Sequence, residues 1–184
     1  AHHYAYYNGN FSFAVNDYVQ EGILDVDNFG TEGISSLLAL VDPYSYRDRL
    51  TLPKYMLNAS GDEFFVPDSW QSYFNDLPGP TAIRYLPNSS HGISNVEEIV
   101  LELVDVYFSF AENLGLLEYS FQQLPDGTIE VTTSGSIVGA KLWQATNANA
   151  RDFRWPVVGA AFTSTTLEYA DGVIRGNVAA PAQG

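Results

Sequence analysis

The sequence predicts an α/β fold with a parallel sheet, followed by a small all-β appendage. Three observations carry that reading. Between residues 54 and 114 the patterns run strand, loop, helix, strand, loop, helix, the order that parallel sheets with crossover helices produce. The strand candidates are short apolar runs rather than alternating ones, as expected of strands covered on both faces. After Leu117 helical spacing gives way to brief β-type runs punctuated by Asp126-Gly127, Ser134-Gly135 and Asp171-Gly172. The domain boundary is accordingly expected after residue 116, with residues 117–184 forming the β-rich, sandwich-like part.

The elements can be justified in order. Phe11, Val15, Tyr18 and Val19 recur at three- and four-residue spacing within residues 11–24, and Ile34, Leu37, Leu38 and Val41 do so within 31–41, predicting two helices. Asp42-Pro43 ends the second, because a residue before proline avoids helical angles. Residues 44–50 fit a short helical turn. Residues 54–59 read as a buried strand left through Ser60-Gly61-Asp62. Pro67-Asp68-Ser69 then offers a helix start, with Trp70, Tyr73, Phe74 and Leu77 at helical spacing and Leu77-Pro78-Gly79-Pro80 as the stop. Residues 81–86 form the next strand and residues 87–92 the next loop. Ser94 can cap a long helix running to about Leu114 and closed by Gly115. The remaining β-type runs are 117–124, 128–133, 138–145, 157–164 and 167–169.

Composition narrows the function classes. A chain of 184 residues, 46% hydrophobic and 16% charged, has enough apolar surface to fold around a core. Its 22 acidic and 8 basic residues give a formal charge of -14, which repels phosphate backbones and anionic headgroups. Nucleic acid and anionic membrane surfaces are therefore excluded as expected partners. The absence of cysteine removes thiolate zinc, disulfides and thiol nucleophiles. His2 and His3 are adjacent and diverge in either a strand or a helix, a poor arrangement for one metal. Neither a metal nor a cofactor is expected. The most apolar stretch, around residues 99–117, is interrupted by Glu102, Asp105, Ser109, Glu112 and Asn113 and does not read as a membrane span. The first residues show neither an initiator Met nor a basic leader, so the chain is expected to begin inside a longer precursor.

The residues that can carry chemistry are Asp62 and His91. Nucleophilic acyl transfer needs a base to take a serine proton and a buried acid to hold that base in the right tautomer. Asp62 follows one predicted strand and His91 lies 29 residues later, after one helix and the next strand. Ligand loops in open α/β sheets follow strand ends, and α/β-hydrolases order their triad serine, acid, histidine along the chain.

Several longer motifs extend this. Val41-Asp42-Pro43-Tyr44-Ser45-Tyr46-Arg47-Asp48-Arg49-Leu50, Pro53-Lys54-Tyr55, Gly61-Asp62-Glu63-Phe64-Phe65-Val66-Pro67-Asp68-Ser69 and Arg84-Tyr85-Leu86-Pro87-Asn88-Ser89-Ser90-His91 occur in that order. They are followed by Leu142-Trp143-Gln144-Ala145-Thr146-Asn147 and Ala150-Arg151-Asp152-Phe153-Arg154. Together they resemble the PhoPQ-activated pathogenicity-related proteins, an α/β-hydrolase-like family. The resemblance implies a serine hydrolase acting on an ester or amide, of which this chain is the C-terminal part. Asp62 and His91 are then the acid and histidine of a Ser-His-Asp triad, and the serine lies in a Gly-x-Ser-x-Gly-like elbow upstream. The missing N-terminal portion of the same protein is the implied partner, and the substrate, small molecule or peptide, is unspecified. The chain alone should be catalytically incomplete, and the resemblance implies that residues 181–184 stop within the family's β tail.

Other readings of the same residues bear on the outcome. Glu63 could replace Asp62 as the acid, but Asp62 precedes Pro67 by five residues, as the acid does in the Asp-x-x-x-x-Pro turn of prolyl-oligopeptidase-like enzymes. Asp42, Asp48, Arg47 and Arg49, and separately Arg151, Asp152 and Arg154, read as structural ion pairs rather than substrate clamps. Tyr4, Tyr6, Tyr7, Phe11, Phe13 and Tyr18 could line a pocket but fit helix packing better. Sequons at Asn10, Asn58 and Asn88 suit a secreted, extracellular or periplasmic protein, Asn58 least because it lies in a predicted strand. The alternatives to catalysis are a virulence-associated or interaction protein that keeps the hydrolase fold, and a carbohydrate- or surface-binding role for residues 117–184.

Overall fold

A computed structural model describes residues 11, 13–25, 27–28, 30–94 and 96–179. The expectations that rest on His2, His3, Tyr4, Tyr6, Tyr7, the Asn10 sequon and residues 181–184 lie outside the described residues. The contacts divide the chain into two compact units, Ala1–Ile93 and Ser94–Gly184. The division therefore falls before the long helix, where the sequence reading placed it behind, at residue 116.

In the first unit, the helix expected over residues 11–24 is shorter. A 3-10 turn, Phe13–Val15, leads into α1, Asn16–Gln20. The helix stops because Gly22 takes a left-handed φ of 68°. Its N–H reaches the Val19 carbonyl at 3.1 Å and that of Ile23 reaches the Tyr18 carbonyl at 2.9 Å, a Schellman closure that satisfies the last carbonyls. Helix α2, Glu32–Val41, ends where the sequence placed its stop. Thr31 caps its start by accepting the Ile34 N–H. Asp42 leaves helical angles, with ψ 116°, and accepts the Tyr44 N–H at 2.9 Å to start the 3-10 segment Pro43–Arg49. Two of the charged residues here also engage tyrosine rings. The Arg47 guanidinium lies 4.2 Å from the centre of the Tyr44 ring and that of Arg49 lies 5.2 Å from that of Tyr46.

Strands β1, Lys54–Ala59, and β2, Thr81–Leu86, occupy the predicted residues and pair in parallel, Lys54 opposite Thr81 and Ala59 opposite Leu86. Ala59 and Leu86, at the C-terminal ends, are buried. The predicted helix between the strands is corrected to two 3-10 segments, Pro67–Ser72 and Phe74–Asp76, interrupted at Tyr73 with φ -147°. Trp70 and Phe74 still meet edge to face, 6.0 Å between ring centres, so the aromatic spacing serves packing without an α-helix. At the N-terminal end of the sheet the Lys54 ammonium donates to the carbonyls of Leu50, Leu52 and Pro78. Beside it, Gly79 has φ 74°, and a Cβ there would stand 2.6 Å from the Thr51 carbonyl oxygen.

In the second unit, α3 spans Val96–Ala111. It ends before the expected Leu114 because Asn113, not Gly115, takes the first left-handed position, φ 54°. Asn113 donates to the Phe110 carbonyl and Leu114 to that of Ser109, the same closure as at Gly22. Helix α3 is apolar on more than one side: Ile99 is buried, whereas Val100, Leu101, Val104, Tyr107 and Phe108 are exposed.

Antiparallel strands follow: β3, Tyr119–Gln123; β4, Thr128–Thr133; β5, Ala140–Gln144; β6, Thr163–Leu167; β7, Tyr169–Ala170; and β8, Val173–Asn177. They form a four-stranded sheet in the order β3-β4-β8-β7 and a two-stranded one, β5-β6. Gln122, Glu130 and Arg175 stand side by side across β3, β4 and β8. Gln122 donates to Glu130 at 2.8 Å and Arg175 pairs with it at 2.6 Å, and these contacts hold the Glu130 carboxyl below its ordinary range. The run 157–164 is not one strand. Pro156 opens a helical turn, α4, Trp155–Val158, which Gly159 ends at φ 56°, and β6 begins only at Thr163.

Gly79→Ala is expected to lower unfolding stability by about 2 kcal/mol, because a left-handed non-glycine residue meets a backbone oxygen. Gly22→Ala, equally left-handed but with open space around it, should lose about 1 kcal/mol. Urea denaturation of both variants measures the gap, and equal losses would mean that the Thr51 carbonyl yields freely.

A second expectation concerns alkali. The Tyr85 hydroxyl on β2 donates to the Pro67 carbonyl, and burial first of all pushes its pKa up from 10.0 to about 12. The folded state thus keeps this proton after the unfolded chain has lost it. The contribution is complete below pH 10 and falls away as pH rises through about 12. Tyr85→Phe should remove this part of the decline in stability between pH 10 and about 12, measured as the difference between variant and wild-type denaturation midpoints.

Candidate active site

Parallel pairing sends the chain out of β1 and β2 at the same end of the sheet, and three hydrogen bonds then tie the two exits together. Ser60 N–H donates to the Leu86 carbonyl and Gly61 N–H to that of Ser89, both at 2.9 Å. Asn88 N–H donates to the Ser60 hydroxyl oxygen, also at 2.9 Å. Asn88 makes this contact from a left-handed φ of 55°, a conformation that asparagine tolerates better than most residues. Ser60 and Ser89 are buried in the seam. Two loops far apart in sequence therefore behave as one short platform.

Asp62 stands at the first turn of that platform. Its Oδ1 accepts the N–H groups of Phe64 and Phe65, each at 2.8 Å, in an Asx turn that the Asp-x-x pattern favours. The same carboxylate faces His91, with Nδ1 at 3.2 Å from Oδ1 and 3.3 Å from Oδ2. The Asp62 side chain is 11% exposed and that of His91 42%. The acid is buried and fixed, and the imidazole is reachable. With its proton on Nδ1 the ring donates to Asp62 and keeps the Nε2 lone pair available, the arrangement a general base needs.

The two predicted site residues are thus brought together within hydrogen-bonding reach. Glu63, the alternative acid, is not at the ring; its Oε2 accepts the His91 backbone N–H at 3.2 Å. Two neighbours went unread in the sequence. The Phe64 and Phe65 rings flank the imidazole, with centres 4.9 and 5.3 Å away and tilts of 51° and 59°. Their signal was their place directly after the acid, where an Asx turn folds the following residues back. Tyr85 steadies the far end of the acid loop by its bond to the Pro67 carbonyl.

Other candidates take structural roles. Arg154 grips Asp152 through Nε at 2.8 Å and a terminal nitrogen at 2.5 Å, which lowers the Asp152 pKa. Asn58 is half-buried and Ser60 of its sequon is buried; in the Asn88 sequon Ser89 is buried. Among the described residues no group of three or more His, Asp or Glu side chains could hold a metal ion, and no helix is long and apolar enough to cross a membrane.

Comparison with known proteins places these features in a family. Autocrine proliferation repressor protein A of Dictyostelium discoideum is 37% identical to the chain over 164 residues, covering 82% of the chain. The chain spans 32% of that protein's length. No solved structure matches it. Residues 1–154, which contain both Asp62 and His91, match the family model for PhoPQ-activated pathogenicity-related protein. The chain belongs to the PhoPQ-activated pathogenicity-related protein family.

Proposed function

We propose that this chain supplies the acid and the histidine of a serine α/β-hydrolase that cleaves an ester or amide. The observation that carries the reading is the contact of a buried, backbone-anchored Asp62 with Nδ1 of a solvent-reachable His91, at the exits of adjacent parallel strands. In the proposed reaction a serine from the upstream part of the full-length protein attacks the carbonyl carbon. His91 Nε2 takes the serine proton and later gives it to the leaving group. Asp62 holds the imidazole in the required tautomer and offsets the positive charge that forms on it.

The partner in this reading is the rest of the same polypeptide. A parallel sheet is ordinarily covered on both faces, and here β1 and β2 have only each other among the described residues. Helix α3 has a wide apolar face on which Val100, Leu101, Val104, Tyr107 and Phe108 are exposed, and such a face is normally buried against other elements. Further strands and helices of the full-length protein would satisfy both.

A second reading has a specific support: the Dictyostelium relative is named an autocrine proliferation repressor, a name that describes signalling and mentions no hydrolysis. In that case the pair would be an inherited structural contact.

Fluorophosphonate labelling of the full-length protein separates the two. The hydrolase reading expects covalent labelling of a serine, with His91→Ala and Asp62→Asn each slowing it by about a thousandfold or more, and with circular dichroism unchanged. Absence of labelling in the wild type, or labelling indifferent to both substitutions, would favour the signalling role.

A further inference from the structure

Glu63 reaches the same histidine as Asp62 by a different route. Asp62 engages the ring through Nδ1, while Glu63 engages the backbone, accepting the His91 N–H at 3.2 Å. The two contacts leave neighbouring residues of the loop after β1 and arrive at one residue of the loop after β2. A ring contact alone sets the separation of imidazole and carboxylate but not the placement of the main chain that carries the ring. Holding the backbone of the same residue removes that freedom, and a site geometry is kept only when its supporting residues are themselves fixed.

Glu63 adds its constraint to those of the seam. The seam bonds described above include that from Gly61 N–H to the Ser89 carbonyl, and the Glu63 contact reaches two residues further along, to His91. Beyond it, Ile93 N–H turns back to the Ser90 carbonyl at 3.0 Å. The Glu63 carboxylate ties the His91 main chain directly to the acid loop.

We propose that Glu63 is a positioning residue: by accepting the backbone N–H of His91 it holds the histidine loop at the level where Nδ1 meets Asp62. The proposal rests on the serine-hydrolase reading above for its catalytic consequence, and on the geometry alone for the hold on His91. It assigns the effect to acceptance of a hydrogen bond, so the neutral isostere Glu63→Gln, which keeps an acceptor oxygen, should substitute for it.

The test uses the full-length protein as wild type, Glu63→Ala and Glu63→Gln, with two readouts: the rate of fluorophosphonate labelling and the downfield proton resonance of the His91 Nδ1–H. Glu63→Ala should slow labelling on the order of tenfold and lose the resonance to solvent exchange, while Glu63→Gln stays within about twofold of wild type and keeps it. Wild-type behaviour of Glu63→Ala in both readouts would overturn the proposal, and so would a Glu63→Gln variant as impaired as Glu63→Ala. If the wild type is not labelled at all, the hydrolase reading fails. The resonance then decides by itself: its loss in Glu63→Ala with retention in Glu63→Gln supports the hold on His91, and its persistence in Glu63→Ala refutes it.

Discussion

The parallel register of β1 and β2 is the constraint on which the candidate site depends. Because Ala59 lies opposite Leu86, the residues that follow each strand emerge side by side, and a short set of hydrogen bonds can close the gap. An antiparallel pairing would have sent the two loops to opposite ends of the sheet. A register slip by one residue would have turned Ala59 and Leu86 away from their buried positions and moved Ser60 off the Leu86 carbonyl. Burial of the strand ends and juxtaposition of the two loops are therefore consequences of one pairing choice.

Asp62 shows how that constraint becomes a chemical arrangement. An ionised carboxylate only accepts hydrogen bonds, so a buried one must be surrounded by donors. The Phe64 and Phe65 amides supply two, and His91 approaches across the seam. The turn that satisfies Asp62 also swings both phenylalanine rings toward the imidazole. Local backbone geometry after the acid thus determines the surroundings of a histidine 29 residues away, and Glu63 adds its contact to the main chain within the same turn.

The parts of the fold that were legible in the sequence are those in which one local rule decides. Both parallel strands occupy the expected residues, because an apolar run bounded by Pro53, by Gly61 and by Pro80 leaves little choice. Asp42 ends α2 because a proline follows. The ends of α1 and α3 were missed at local left-handed positions, Gly22 and Asn113, and other misreadings occur where a distant contact decides. Trp70 and Phe74 have helical spacing, yet Tyr73 leaves helical angles and the segment becomes two 3-10 turns, with the Tyr85 hydroxyl bound to its first carbonyl. Strand β8 went unread because Gly176 weakens its pattern. A Cβ at that glycine would lie 3.1 Å from a Leu167 and 3.4 Å from a Leu142 side-chain carbon, so those leucines would have to shift slightly to admit one. Asp62 and His91 could be named from the motif order, whereas the role of Glu63 could not. Its adjacency to Asp62 made it look like a competitor for the ring, and only the three-dimensional turn shows it accepting from the backbone.

The contrast in exposure between the two partners has a further physical consequence. A hydrogen bond between a carboxylate and an imidazole gains strength as water is excluded, and here the carboxylate is shielded while 42% of the histidine side chain remains open. In the proposed reaction the open side of His91 is where a serine and a substrate would come together. Covering it would complete the desolvation that the Asp62 side has already achieved. On that proposal the exposed apolar residues of α3 and the two-stranded sheet would likewise be covered by other parts of a full-length protein. Under the proposed function, assembly of the fold and completion of the catalytic site are one event. The substrate-facing side of His91 reaches its working environment only when the structural elements that enclose the sheet are in place.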